Sequence, residues 1–255
     1  MVKFRDLDRK KVKALGKRDV EENRGGCILI SFLCSGVPSI IGVGLYMLAS
    51  IRLAGQMQYA GTTLTSYLTD NIVSILCFSA ALILILFGFL NELQVGMNRY
   101  YLRNTEGNAE FSDIGFGFRN NYWKIFSAAW LVFLVSFLVS FVIGLVTAPL
   151  PWKFIGNMLR TVASFYLVYR YRFVLLILAN NPNIEKASDA LSLSARLVKG
   201  QLAALIKFDV SFCLWYMLSG VTLGLASILY VTPYKTAANA ELYLWLKERN
   251  VGVNL

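Results

Sequence analysis

Apolar residues in this chain gather into long uninterrupted runs separated by short polar stretches, instead of alternating or keeping to one face. The runs cover about residues 28–51, 72–90, 125–148, 154–179, 201–219 and 222–246. An uncharged apolar stretch of about 18 or more residues is long enough to cross a bilayer as a helix. The pattern therefore predicts an all-α, polytopic membrane protein with six transmembrane helices. Gly36-Val37-Pro38 interrupts the first run, where a kink repaired by neighbouring helices is expected. In the third, Ser136, Ser140 and Gly144 form a small-residue stripe that lets another backbone approach closely, and Pro149 and Pro151 close it. Gly220 and Gly224 have the G-x-x-x-G spacing but read as turn residues between the last two runs.

The polar stretches carry the organisation. Residues 183–199 form the one well-marked polar helix between apolar runs, with Asn183 as its expected N-cap and Gly200 as its stop. Ala187, Ala190, Leu191, Ser194, Leu197 and Val198 make one stripe, and Glu185, Asp189, Arg196 and Lys199 lie opposite. Such a helix either lies flat in the membrane interface or packs its stripe on the bundle. Residues 1–26 are a basic segment in which Phe4, Leu7, Val12 and Leu15 share a face. It is either a helix on anionic headgroups or a solvated terminus. Residues 250–255 are a short tail.

Composition agrees with this reading. The 255 residues are 56% hydrophobic and 16% charged, with mean hydropathy +0.55, against about a quarter charged in soluble domains. The formal charge of +10 follows from topology and calls for no nucleic acid. With both termini inside, 21 of the 25 Lys and Arg residues fall in cytoplasmic segments, as the positive-inside rule requires.

Charges inside the apolar runs mark the candidate site. Asp209 lies nine residues past Gly200, hence about 13 Å beyond that boundary, while Arg172 and Arg170, counted from Ala179, lie about 10–14 Å deep. An intramembrane carboxylate is costly and seeks a partner, so Asp209 is expected to pair with Arg170 or Arg172. Glu92 and Arg99 are expected near the mouth of this polar centre. It reads either as a clamp that fixes helix register or as a cytoplasm-facing cavity for an anionic headgroup or solute.

No catalytic constellation accompanies it. The chain has no histidine, so Ser188, Ser192 and Ser194 lack the usual activating base. Cys27, Cys34, Cys77 and Cys213 have no metal-ligand spacing, and neither a metal nor a cofactor is expected.

Residues 177–182 (Ile-Leu-Ala-Asn-Asn-Pro), with Ala187, Ala190, Leu191, Ser194 and Lys199-Gly200, resemble the bacterial membrane family called domain of unknown function 975. Leu93 to Leu102 with Gly96 and Arg99, Phe208 to Phe212 with Trp215, and Thr222-Leu223-Gly224 with Pro233-Tyr234 and Ala240 to Tyr243 are similar to it as well. Pro149-Leu150-Pro151 departs from that family's usual turn. The resemblance implies a six-helix bacterial inner-membrane protein. It also implies a distant similarity to the membrane portion of some glycerophosphodiester phosphodiesterases, whose catalytic part is absent here. The resulting expectation is a non-enzymatic accessory that binds membrane lipids, a small solute, a partner membrane protein or a second copy. A transporter or export factor is the alternative.

Overall fold

The computed structural model describes residues 9–60, 64–119, 122–148 and 153–249, among which every regular element is helical. Helices α1 (Arg9–Glu22) and α2 (Arg24–Ser31) lead into α3 (Val37–Ala60), and α4 (Leu64–Asn104) is a single helix of 41 residues. A 3-10 turn (Phe111–Gly115) and α5 (Phe116–Arg119) precede α6 (Tyr122–Thr147) and α7 (Lys153–Arg170), which pack side by side. The chain ends with α8 (Val174–Asn180), α9 (Ala187–Val198), α10 (Leu202–Val210), α11 (Cys213–Val221) and α12 (Thr232–Arg249).

Among the described residues, four helical stretches are long and apolar enough to cross a membrane, where six were expected: Arg24–Arg52, Tyr122–Thr147, Phe154–Asn180 and Leu202–Val221. The second expected span lies within α4, several of whose side chains fall outside the described residues, as do Pro149, Pro151, Phe4, Leu7 and the tail. The sixth is not one apolar rod. A turn at Thr222–Gly224 and a π turn at Ser227–Val231 precede α12, whose Tyr234, Ala237, Leu242 and Tyr243 are buried in protein. Its apolar residues serve a protein interior, which a hydropathy window cannot separate from a lipid face.

Burial divides the molecule into two layers. Large apolar side chains are exposed along α3, along α4 up to Phe89, along the far part of α6, and over Phe154–Val168 and Val210–Leu229. Beyond those points the same elements enter a dense core built on Val95, Tyr101, Phe173, Ile177, Phe208, Tyr243 and Leu246. One end is an apolar belt and the other is packed like a soluble domain.

Both interior prolines follow π turns. Phe32–Gly36 precedes Pro38, and Ser227–Val231 precedes Pro233. The proline ring clashes with the carbonyl four residues back, here that of Cys34 or Leu229, and a widened turn makes room for it. The two π turns pack against each other.

Neither reading of the basic N-terminal segment describes α1, which packs on α12 with Val12, Gly16, Asp19 and Val20 buried. A Cβ on Gly16 would come within 2.7 Å of the Ala238 backbone, so only glycine permits this approach. At the same interface the buried Asp19 Oδ2 meets no ordinary N–H or O–H donor among the described residues and faces the half-buried Glu241 carboxyl. Burial and the hydrogen bond to Asp19 push Glu241 up to about 7.

The proton on Glu241 stabilises this interface, because the unfolded chain gives it up at the ordinary carboxylate value of 4.5. The contribution is complete below that value and is lost as pH rises through about 7. The unfolding temperature of the wild type should therefore fall, relative to Glu241→Gln, between about pH 5 and pH 8. Parallel pH profiles for the two proteins would refute the shared proton.

Candidate functional site

The fourth and fifth apolar stretches are both broken helices, and the breaks meet. Between α7 and α8 the chain turns at Tyr171, Arg172 and Phe173 without proline or glycine. The cause is a side chain inserted into the hydrogen-bond ladder. Ser194 of α9, fully buried, donates to the Arg170 carbonyl at 3.0 Å and accepts from the Phe173 N–H at 3.2 Å. It thus satisfies two of the backbone groups that the interruption frees. Between α10 and α11, at Ser211 and Phe212, carbonyls are freed in the same way. Cations from α1 reach this break: Lys13 Nζ donates to the Ser211 carbonyl at 3.3 Å and sits 4.4 Å above the Phe212 ring, and Arg9 adds a donor at 3.4 Å to the Lys207 carbonyl, which also accepts the Ser211 N–H. Placing cations at a helix C-terminus also offsets its partial negative charge.

Arg172 and Asp209, one at each break, form a two-armed ion pair, the geometry that a planar guanidinium and a carboxylate favour. Tyr169 donates to Asp209 Oδ2 at 2.8 Å, Asn239 of α12 accepts from Arg172, and Lys235 Nζ lies 3.8 Å from Asp209 Oδ1. The pair is mostly but not wholly buried, at 14% and 23% exposure. Two cations thus share one carboxylate, which accepts three hydrogen bonds. Sequence reasoning missed Asn239 and Lys235. Their signal was a polar pair at i, i+4 on an otherwise packed helix.

The depth expected for this centre needs correction. Counting from Gly200 and Ala179 assumed that the apolar rods begin there, but α8 and α10 belong largely to the dense core. The lipid-type surface of the fourth stretch is α7 alone, whose 18 residues span about 27 Å, close to a hydrocarbon thickness. The ion pair therefore lies at the dense end of the apolar belt and not at its middle.

Arg170 faces away from Asp209 and donates to the Tyr166 hydroxyl at 3.0 Å. With Tyr166, Arg196 and Lys199 it lines a cavity of about 470 Å³ between α7 and the end of α9, and no carboxylate lines that cavity. The stripe of α9 is buried against α6, α7 and α8, so the helix packs on protein while its basic residues stay exposed. Asn183 does not cap it: α9 begins one turn later, after an extended Lys186, and residues 181–184 form a turn closed by the Ile184 N–H on the Asn181 carbonyl. Asp189 lies exposed in the first turn of α9, away from the cavity.

Glu92 and Arg99 do not join the centre. Arg99 sits 3.5 Å from Asp113, 3.9 Å above the Phe116 ring, and donates to the Ala179 carbonyl at 2.9 Å. It latches the 3-10 turn and α5 onto α4. Glu92 is fully buried under Gly117, where a Cβ would meet its backbone carbonyl at 2.6 Å, and neither carboxyl oxygen has a hydrogen-bond partner among the described residues. Both act in the packing of the loop after α4. Among the described residues no three His, Cys, Asp or Glu side chains come together as a metal would need.

Compared with models of known families, with curated proteins and with solved structures, the chain matches none.

Removing the Ser194 hydroxyl leaves a buried N–H and a buried carbonyl unpaired at the α7–α8 break. Ser194→Ala should cost about 1–3 kcal/mol, read as a lower midpoint in thermal or denaturant unfolding in detergent. Ser194→Thr keeps the hydroxyl and tests whether the lost hydrogen bonds are the cause. An unchanged midpoint in Ser194→Ala would show that the break is held by other contacts.

Proposed function

We propose that this chain is a non-enzymatic, multi-pass protein of a bacterial cytoplasmic membrane that binds anionic lipid headgroups at its cytoplasmic face. Both termini are cytoplasmic in this reading, because the dense end carries α1, the loop after α4, α9 and α12, where the basic residues collect. Bacterial origin rests on the family resemblance.

The observation that carries the binding role is the cavity beside α9. Arg170, Arg196 and Lys199 converge on it without a carboxylate. The bland explanation for Arg196 and Lys199 is that cations belong at the end of a helix. That end bears only about half a negative charge, as does the end of α7 at Arg170, so a positive excess of about two charges remains. Arg172, by contrast, is already matched to Asp209 and serves as the register clamp. A flat amphipathic helix at the edge of the apolar belt brings this positive cavity to headgroup level.

A transporter is the second reading, favoured by the two interrupted helices that meet at a charged centre, an arrangement that transport proteins use to bind ions and solutes. It requires a water path past Asp209 that opens to each side in turn.

The headgroup reading is tested in nanodiscs of phosphatidylcholine with a minor fraction of labelled phosphatidylglycerol. Two cations at about 1 kcal/mol each correspond to about thirtyfold in lipid affinity. That loss is expected for Arg170→Gln combined with Lys199→Gln, while Lys186→Gln, a nearby exposed control, changes little. Equal losses for Lys199→Gln and Lys186→Gln would mean diffuse surface charge without a site.

A further inference from the structure

The segment after the Arg172–Asp209 centre leaves the dense core, turns and comes back, and its turn is unlike the polar connections elsewhere in the chain. α11 ends in a Schellman motif: the Gly224 N–H donates to the Ser219 carbonyl at 2.8 Å and the Leu223 N–H to the Gly220 carbonyl at 3.3 Å. The Thr222 N–H reaches the Leu218 carbonyl at 3.0 Å, the Leu225 N–H reaches the Thr222 carbonyl at 3.1 Å, and the Ala226 N–H reaches Thr222 Oγ1 at 3.0 Å. Five consecutive donors, residues 222–226, are thus satisfied inside the turn. These N–H groups need no water, which removes much of the cost of placing an irregular backbone in hydrocarbon.

The side chains point the same way. Residues 217–229 contain no charged, amide or aromatic side chain. By comparison, Gln58 near the end of α3 and Asp70 in the second turn of α4 flank the connection between those helices, and Trp152 with Lys153 leads into α7. Leu223 occupies the left-handed position at φ 51, where glycine is the usual choice, and is 95% exposed, with Val221 at 84%. In water a leucine there loses on both counts, sterically and by exposure. Surrounded by acyl chains, the exposure ceases to cost. The base of the hairpin, in contrast, is aromatic and packed: the Trp215 and Tyr230 rings are 4.7 Å apart, and Tyr230 and Tyr234 are 5.7 Å apart, as suits a polar boundary.

Length settles how far the hairpin reaches. Measured from the ion pair, α7 carries the chain about 30 Å outward, whereas the Leu223 tip lies only about 20 Å out. We infer that Cys213–Val231 is a re-entrant hairpin that dips into the acyl chains from the side of the Arg172–Asp209 centre and turns back inside them, without reaching the far surface. The bilayer interior is its partner. The centre is then closed on its outer side by an apolar plug and opens at one face only.

The test uses the full-length protein with Cys77 and Cys213 replaced by serine, leaving the buried Cys27 and Cys34, in sealed vesicles of each orientation. Leu223→Cys should resist a charged, impermeant maleimide from both sides. Arg52→Cys should react from one side and Lys207→Cys from the other. A bimane attached at Leu223→Cys should be quenched severalfold by lipids brominated in mid-chain. Val221→Cys on the same hairpin should repeat the result and guards against a local effect of the first variant. Reaction of Leu223→Cys from the Arg52 side would establish a crossing loop and overturn the inference. Absence of bromolipid quenching would overturn it too, because a second copy or a partner protein would then cover the tip.

Discussion

A guanidinium and a carboxylate on two consecutive interrupted helices hold each other in place, and the rest of the dense end is arranged around that contact. Breaking two helices at one level frees backbone carbonyls and N–H groups that are costly to leave unmet away from water. Ser194 meets two of these groups at one break, and Lys13 meets the Ser211 carbonyl at the other. The Arg172–Asp209 pair then fixes the two breaks against each other, and α12 closes the ring with Asn239 and Lys235. Removing Asp209 leaves Arg172 partly buried and unmatched, which is far more damaging than losing a surface pair.

This arrangement separates two arginines that stand two residues apart. Arg172 is consumed by structure. Arg170, on the other side of the break, is left to Tyr166 and to the cavity it shares with Arg196 and Lys199. A continuous helix would also have sent them to different faces, but the turn at Tyr171 and Phe173 lets one enter the core while the other stays at the surface. In the proposed reading the clamp and the binding role, alternatives when only the sequence is considered, belong to different residues.

The helical class and the encounter of Asp209 with an arginine of the fourth stretch were legible because buried charges in an apolar chain have few places to go. The level of that encounter was not. Hydropathy cannot tell Val174–Ala179, which pack on α4 and α9, from Phe154–Val168, which face outward, so the counting began in the wrong place. The same ambiguity placed Tyr234–Leu246 inside the expected span 222–246. Asn183 failed as a cap because Pro182 and the Asn181 carbonyl build a turn first, and turn geometry of that kind is invisible to a single-residue preference. Glu92 and Arg99 were expected near the mouth of the centre. Their true partners lie in the loop after α4, brought back over Gly96 and Gly117 by contacts no periodicity encodes.

The claim that one ion pair sets the relation between the two broken helices is tested most directly by a double-mutant cycle. The stabilities of wild type, Arg172→Gln, Asp209→Asn and the double variant would be measured by reversible unfolding in one detergent. A pair acting as the register clamp predicts a coupling of about 1–3 kcal/mol, with the double variant more stable than the sum of the single losses implies. Losses that simply add would mean that the two charges do not act on each other, and the account of how these helices are held would be wrong.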